Sequence, residues 1–180
     1  MLVIATLNDR IQPHDRAERY EDPLNLLLET RGLGAVTGGG SQQGDEGEVE
    51  QVDVEVELGD PGADRLELIS KALEILGAPV GSVLRAGDRE VPFGRLEGLG
   101  LYLNGTDLPA EVYASSDVNV VLESLEELLG DDGSLHSHWE GPRETALYFY
   151  GDSFATMAER ISGFVAAEPL CQQARVVQVA

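Results

Sequence analysis

The side chains most suggestive of metal chemistry are two histidines with one residue between them. His136 and His138 lie in the segment 135–139, whose composition and flanking turn residues favour a β-strand. Residues two apart in a strand project from the same face, so both imidazoles would point in one direction and could bind a transition metal. No third ligand is identified, although Asp131, Asp132 and Glu140 are near in sequence. The pair is a candidate metal site, and the alternative is two ordinary surface histidines.

Three carboxylates alternate with apolar residues in the segment 52–58. Asp53, Glu55 and Glu57, here called the acidic ladder, point one way, while the apolar residues between them point the other, which is typical of a half-buried strand. On the exposed face, like charges would stand about 6–7 Å apart. The ladder is either a solvated strand face or a docking surface for a cationic protein, because such a partner would relieve the repulsion and associate faster.

Aromatic residues alternate in the predicted strands of the second half. Tyr102, Tyr148 and Tyr150 should lie on the sheet face away from the helices. RNA-binding sheets stack bases on such faces, but residues 89–180 contain only five basic residues, so nucleic acid is not an expected partner. Burial between the halves or in a homodimer is the favoured use of these rings. In a protein interface, Trp139, Tyr148 and Tyr150 would supply the central contacts.

No motif in the sequence points strongly to catalysis. The run 37–41, Thr-Gly-Gly-Gly-Ser, lacks the lysine and the helix start of a phosphate-binding loop, so it indicates a bulge, a flexible hairpin arm or a backbone that another group approaches closely. No Gly-x-Ser-x-Gly or His-Glu-x-x-His motif occurs. Cys171 is expected to be a buried thiol. Two carboxylates could still meet in the fold and act as acid and base.

Composition and charge limit the classes of molecule that this protein could bind. The formal charge of −21, from 33 acidic and 12 basic residues, disfavours nucleic acid and anionic membranes and favours a basic or neutral protein. One cysteine excludes an intramolecular disulfide and suits the cytoplasm. The first apolar run is too short for a signal peptide, and no stretch approaches the roughly 18–20 apolar residues of a membrane span. We expect a soluble, cytoplasmic monomer or homodimer with no cofactor.

The positions of these residues depend on the order of secondary-structure elements. In the first half, periodicity and turn residues predict strands at 2–7, 35–43, 52–58 and 80–84, with one helix from Asp22-Pro23 to Gly32 and another through 66–76. In the second half they predict strands at 99–103, 135–139, 145–150 and 175–179, a loop at 105–115, one helix capped by Ser116 and ended by Gly130, and another capped by Asp152 or Ser153. Each half therefore has the order βαββαβ.

This order predicts an α+β protein of two tandem ferredoxin-like (split-βαβ) units, each an antiparallel sheet with helices on one face. The expected division is residues 1–87 for the first unit, 88–95 for a linker and 96–180 for the second unit. A unit of this size buries only a modest core, so we expect the two to pack together.

The preferred functional hypothesis is a non-catalytic acidic module that binds a basic protein through the ladder. The profile is similar to that of bacterial immunity proteins and other toxin inhibitors in composition, without a family motif. The alternative is a regulatory or small-molecule-binding module with a pocket where the halves meet. A third hypothesis is a metal-dependent enzyme that uses His136 or His138.

Overall fold

The computed structural model describes residues 1–180, which form two compact α+β units. The first unit comprises residues 1–45, 49–96 and 180, and the second comprises residues 46–48 and 97–179. Each unit contains one antiparallel sheet with helices on one face. No helix is both long enough and apolar enough to cross a membrane.

The first unit has the predicted βαββαβ order, followed by one additional strand. Its strands are β1 (Leu2–Leu7), β2 (Gly34–Gln43), β3 (Val49–Leu58), β4 (Ser82–Ala86) and β5 (Arg89–Phe93), and its helices are α1 (Pro13–Arg16), α2 (Asp22–Thr30) and α3 (Ala63–Ile75). The sheet order is β2-β3-β1-β4-β5, with every neighbouring pair antiparallel. The first four strands thus have the split-βαβ arrangement, with β1 and β3 in the centre.

Residues 88–95 were predicted to be a linker, and this prediction was wrong for most of them. Gly87 and Asp88 form the turn of a hairpin, and β5 then pairs antiparallel with β4. Pro92 argues against a strand in a sequence pattern, because proline cannot donate to a neighbouring strand. The structure tolerates Pro92 because β5 lies at the edge of the sheet.

The first helical segment begins earlier than the predicted start at Asp22-Pro23. It begins with Pro13 in the first turn of α1, where the missing N–H costs nothing, and it continues through a π-helical turn at Ala17–Glu21 into α2. In that turn the Asp22 amide donates to the Ala17 carbonyl, five residues back. The π turn lies just before Pro23, which has no backbone N–H and cannot donate the usual helical hydrogen bond. The turn lets the helical segment continue past this residue.

The core of the first unit lies between the sheet and helices α2 and α3. Val52, Val54, Val56 and Leu58 of β3 are all buried there, which confirms the alternation predicted for this strand. At the edge of the sheet, the Val36 amide of β2 donates to the Asn25 side chain of α2 at 2.9 Å. Helix α2 is therefore tied to the edge strand as well as to the core.

The second unit has the predicted βαββαβ order with one extra helix. Its strands are β6 (Glu97–Asn104), β7 (Ser134–Glu140), β8 (Glu144–Gly151) and β9 (Arg175–Gln178), and its helices are α4 (Ala110–Ser115), α5 (Val118–Leu129) and α6 (Phe154–Ala167). The sheet order is β7-β8-β6-β9, again fully antiparallel. The core contains Leu99, Leu101, Leu125, Phe149 and Ile161. Both units are therefore ferredoxin-like, as predicted.

Two local predictions in this unit were wrong. The segment 105–115 is not a continuous loop, because α4 occupies its second half and the Tyr113 hydroxyl anchors this helix by donating to the Asn104 carbonyl at 3.2 Å. Helix α5 is capped by Asp117 instead of Ser116. The Asp117 carboxylate accepts from the Asn119 amide at 2.9 Å. A six-residue helix and two adjacent capping residues are below the precision of a sequence pattern.

Candidate functional site

The acidic ladder lies on the open face of the first sheet. Its residues pair across β1 with Thr6, Ile4 and Leu2, whose side chains share that face. Asp53 and Glu55 are half-buried, and Glu57 is exposed. The predicted geometry of the ladder is therefore confirmed, while its use by a partner stays a prediction.

Little positive charge compensates the ladder. The Thr6 hydroxyl donates to the Asp53 carboxylate at 2.7 Å, and Arg85 donates to the same hydroxyl at 3.1 Å. Arg85 is itself paired with Glu90 at 2.9 Å. Glu55 and Glu57 form no ion pair, so two of the three carboxylates keep their charge available to a cation.

Glycines flank the ladder on its other side. Gly40 and Gly38 of β2 stand opposite Asp53 and Glu55. A Cβ at position 38 would lie 3.4 Å from the Glu55 carboxylate, so the carboxylate occupies the space beside bare backbone. The ladder is thus open on the β2 side, where no side chain from Gly38 or Gly40 shields it.

The middle glycine of the triplet has a different role. Gly39 pairs with Val54, on the face opposite the ladder, and a Cβ there would lie 2.7 Å from Glu21 and 2.9 Å from the Arg16 guanidinium. Arg16 is buried, pairs with Glu21 and donates to the Gly40 carbonyl at 2.7 Å. The interpretation of this run as a closely approached backbone is confirmed.

The three aromatic candidates lie on the sheet face of the second unit that is opposite its helices. Tyr148 and Tyr150 are 0% and 1% exposed, and Trp139 is 8% exposed. Tyr102, predicted to share this face, is 6% exposed, and its ring meets the Tyr148 ring edge to face at 6.1 Å. As folded, these rings present almost no surface to a partner, and they are in a different unit from the ladder.

A partly buried hydrogen-bond cluster holds two of these rings. The hydroxyls of Tyr102 and Tyr148 both donate to one oxygen of the Glu48 carboxylate, each at 2.6 Å. The Arg175 guanidinium stacks 4.5 Å from the centroid of the Tyr102 ring and forms two hydrogen bonds with Glu144, at 3.1 and 2.7 Å. Burial, reinforced by the hydrogen bond to Glu48, raises the pKa of Tyr148 well above its ordinary value. The phenol is therefore a hydrogen-bond donor at all ordinary pH values.

The prediction that His136 and His138 share a face was wrong. The register of β7 against β8 shifts at His136, where one extra residue forms a β-bulge. His136 stacks on the Tyr150 ring at 4.4 Å, whereas His138 pairs with Leu147 on the helix-covered face. No group of three or more histidine, cysteine or acidic side chains is arranged to hold a metal. The two imidazoles cannot form one metal site because the sheet separates them.

A small pocket lies beside His138, where the start of α5 covers the β7 edge of the sheet. Its volume is about 140 Å³. The apolar wall consists of Val118, Leu122, Leu135 and Leu147, and the polar lining consists of Asn119, His138, Glu140 and Thr145. We call this the α5–β7 pocket. Glu140 and Thr145 are direct cross-strand partners, so they stand side by side at one end.

Three polar groups in this lining have no partner. The Glu140 carboxylate and the Thr145 hydroxyl form no hydrogen bond or ion pair. Asn119 uses its backbone amide and one N–H of its side-chain amide on Asp117, which leaves the side-chain oxygen and the second side-chain N–H without a partner. Polar groups that converge on an apolar cavity without satisfying one another are typical of a ligand site.

Cys171 is a poor candidate for catalysis. The thiol is buried, and this burial, together with the nearby Glu168, raises its pKa to about 11. A nucleophilic cysteine needs the opposite shift, because only the thiolate attacks. Cys171 packs in the core of the second unit, as predicted.

Comparisons with known proteins add only distant structural similarity. Neither the scan against family models nor the search of curated proteins gave a match. Among solved structures, the chain is similar to the regulatory subunit of aspartate kinase from Thermus flavus, with 15% identity over 90% of each chain and a TM-score of 0.29. A superposition this loose supports no argument, so the fold assignment depends on the sheet order of the two units.

Proposed function

We propose that this protein is a binding module, not an enzyme, and that its second unit holds a small molecule in the α5–β7 pocket. The observation that carries the proposal is the convergence of three unpartnered polar groups, from Asn119, Glu140 and Thr145, on an apolar wall. The high pKa of Cys171 argues against a nucleophilic thiol, and the separation of the two histidines argues against a metal centre that uses both. The proposal keeps the small-molecule alternative suggested by the sequence, but the pocket lies within the second unit and not where the two halves meet.

The size of the pocket limits the ligand. Drug-sized ligands occupy cavities of about 300–1,000 Å³. A volume of about 140 Å³ accommodates one ring or one short branched chain, with the polar part of the ligand at the rim. The expected ligand is therefore a compact metabolite.

A saturating ligand is expected to raise the melting temperature by about 5–10 °C. At a hundredfold excess over Kd, binding stabilises the native state by about 2.7 kcal/mol, and a chain of this length gains about 2–4 °C per kcal/mol. The measurement is a thermal-shift screen with a metabolite library. Val118→Phe, which fills the pocket, should abolish the shift.

Val120→Phe is the matched control. Val120 is on the same helix and 59% exposed, and it does not line the pocket, so this variant should keep the full response. A ligand that stabilises Val118→Phe as strongly as the wild type would place the binding site elsewhere. A library without any stabilising compound would count against the small-molecule function itself.

A second candidate function is docking of a cationic protein on the acidic ladder. It is favoured by the two carboxylates without ion pairs and by the absence of side chains at Gly38 and Gly40. An immunity or inhibitor protein for a basic toxin is the specific form of this candidate. Trp139, Tyr148 and Tyr150 would join such an interface only if their buried face opened.

Reversing the ladder to Asp53→Lys, Glu55→Lys and Glu57→Lys is expected to slow association with a basic partner by about tenfold or more, because electrostatic steering acts mainly on the association rate. A pull-down from the native host at low salt would identify the partner, and the association rate would then be measured by surface plasmon resonance at several salt concentrations. The control reverses Glu123, Glu126 and Glu127 of α5, with the same change in net charge. Equal rates for the two triple variants would exclude the ladder as the docking surface.

A further inference from the structure

We infer that the α5–β7 pocket selects a small molecule with one apolar group and one protonated amine. The inference rests on the proposed small-molecule function and adds the charge of the ligand to it. Three features of the pocket carry it: the size of the apolar wall, the chemistry of the unpartnered groups and the sign of the nearby charges.

The apolar wall fits one ring. Val118 and Leu122 come from the first turns of α5, and Leu135 and Leu147 come from adjacent strands, so the wall has a helix side and a sheet side. A dry cavity of about 150 Å³ is known to bind benzene. The pocket has nearly this volume, about 140 Å³, and four of its eight lining residues are aliphatic.

The unpartnered polar groups mainly accept hydrogen bonds. The Glu140 carboxylate and the free oxygen of Asn119 are acceptors only, and the Thr145 hydroxyl can accept as well as donate. An ammonium offers three donors and no acceptor, which matches this set. A ligand carboxylate could accept from the Thr145 hydroxyl and from one Asn119 N–H, but it would face the negative charge of Glu140.

The charges near the pocket also favour a positively charged ligand. No lysine or arginine lines the pocket, and Glu140 carries an uncompensated negative charge. Asp117 caps α5 beside Asn119, so the first turn of the helix already has a carboxylate. The net charge of −21 adds a long-range field that attracts cations.

Three probes of similar shape test the charge preference directly. Benzylamine, benzyl alcohol and benzoate share a ring and differ in carrying a positive charge, no charge or a negative charge at pH 7. Titration of the full chain, followed by two-dimensional amide NMR, gives each Kd and locates the binding site. We expect benzylamine to bind about tenfold more tightly than benzyl alcohol, since a hydrogen bond to a charged group is worth that factor or more. Benzoate should show no saturable binding.

Two exposed glutamates provide the variants. Glu140→Gln should reduce the preference for benzylamine over benzyl alcohol to about twofold or less, while the affinity for the alcohol stays the same. Glu127→Gln removes the same charge from α5, away from the pocket, and should keep the preference. Both side chains are exposed, so neither substitution should disturb folding.

The possible results distinguish failure of the amine preference from failure of the proposed small-molecule function. Equal affinity for the alcohol and the amine, with shifts at pocket residues, would overturn the charge preference and leave the small-molecule site standing. Binding of all three probes away from the pocket would overturn both. An unchanged preference in Glu140→Gln would also overturn the inference, because another group would then select the cation.

Discussion

Replacing Glu48 with alanine is expected to lower the free energy of unfolding by about 2–4 kcal/mol. The substitution removes the carboxylate that accepts hydrogen bonds from both Tyr102 and Tyr148. Tyr148 is fully buried and Tyr102 is 6% exposed, so water cannot easily replace the lost acceptor. Removing the acceptor of a buried donor costs about 1–3 kcal/mol, and Glu48 accepts from two donors.

Urea denaturation measures this effect, and Glu46→Ala is the control. Glu46 is two residues away and exposed, so its removal should change stability by less than about 0.5 kcal/mol. Tyr148→Phe in the Glu48→Ala background should recover part of the loss, because it removes one of the two hydroxyls that lose this acceptor. Equal stability of the Glu48→Ala and Glu46→Ala variants would show that the carboxylate has no structural role.

The same cluster predicts how stability depends on high pH. The pKa of Tyr148 is raised in the folded state, so the native state holds this proton more tightly than the unfolded chain does. The stabilisation is fully present below the unfolded pKa of about 10 and is lost as the pH rises above it. Spectrophotometric titration should show at least one tyrosine that ionises only when the protein unfolds.

Gly39→Ala is expected to destabilise the first unit by about 1–3 kcal/mol, as overpacking does in a filled site. The added methyl group would lie 2.7 Å from the Asp53 carbonyl oxygen and 2.7 Å from the Glu21 carboxylate. The carbonyl belongs to the neighbouring strand and cannot move aside. Only the contact with Glu21 could be relieved, and this would require displacing the Arg16 and Glu21 pair from β2.

The neighbouring glycine gives a close control. A Cβ at Gly40 would meet only the Asp53 side chain, at 3.9 Å, which is an ordinary contact. Gly40→Ala should therefore be neutral or stabilising by up to about 1 kcal/mol, because alanine reduces the entropy of the unfolded chain. Thermal denaturation of both variants measures the difference. Similar melting temperatures would mean that the Arg16 and Glu21 pair does not restrict position 39.

Much of the fold could be predicted because apolar residues alternate regularly along its strands. The strict alternation at 52–58 places one set of side chains in the core and the acidic ladder on the open face. Tyr148 and Tyr150 follow the same rule in the second sheet. Element order and the handedness of crossovers then leave few topologies, and the split-βαβ arrangement is the one observed in both units.

Local irregularities were not predictable from the sequence. The bulge at His136 adds one residue to β7, and nothing in a run of polar and apolar residues marks where such an insertion falls. Side chains alternate between the two faces of a strand, so a shift of one residue moves the side chains that follow to the opposite face. For this reason His136 and His138 do not share a face, contrary to the prediction from the sequence. Strand β5 was missed because Pro92 argues against a strand unless its place at the edge is known.

The α5–β7 pocket also had no sequence signal. Asn119, Glu140 and Thr145 come from a helix and two strands, and each is an ordinary surface residue in its own segment. Val118 and Leu122 fit the apolar face of any helix. Only the packing of α5 over the edge of the sheet brings these residues together, and the length of the intervening chain gives no information about that packing.

The contacts of Arg16 and Asn25 also bear on self-association. Strand β2 is ten residues long, lies at the edge of its sheet, and contains neither a charge nor a proline, so it has the features of a site for intermolecular strand pairing and aggregation. Two of its backbone groups are already occupied, the Val36 amide by Asn25 and the Gly40 carbonyl by Arg16. A second chain that paired with this edge would have to displace both side chains. Asn25 and Arg16 therefore oppose the pairing of β2 with a strand of a second chain.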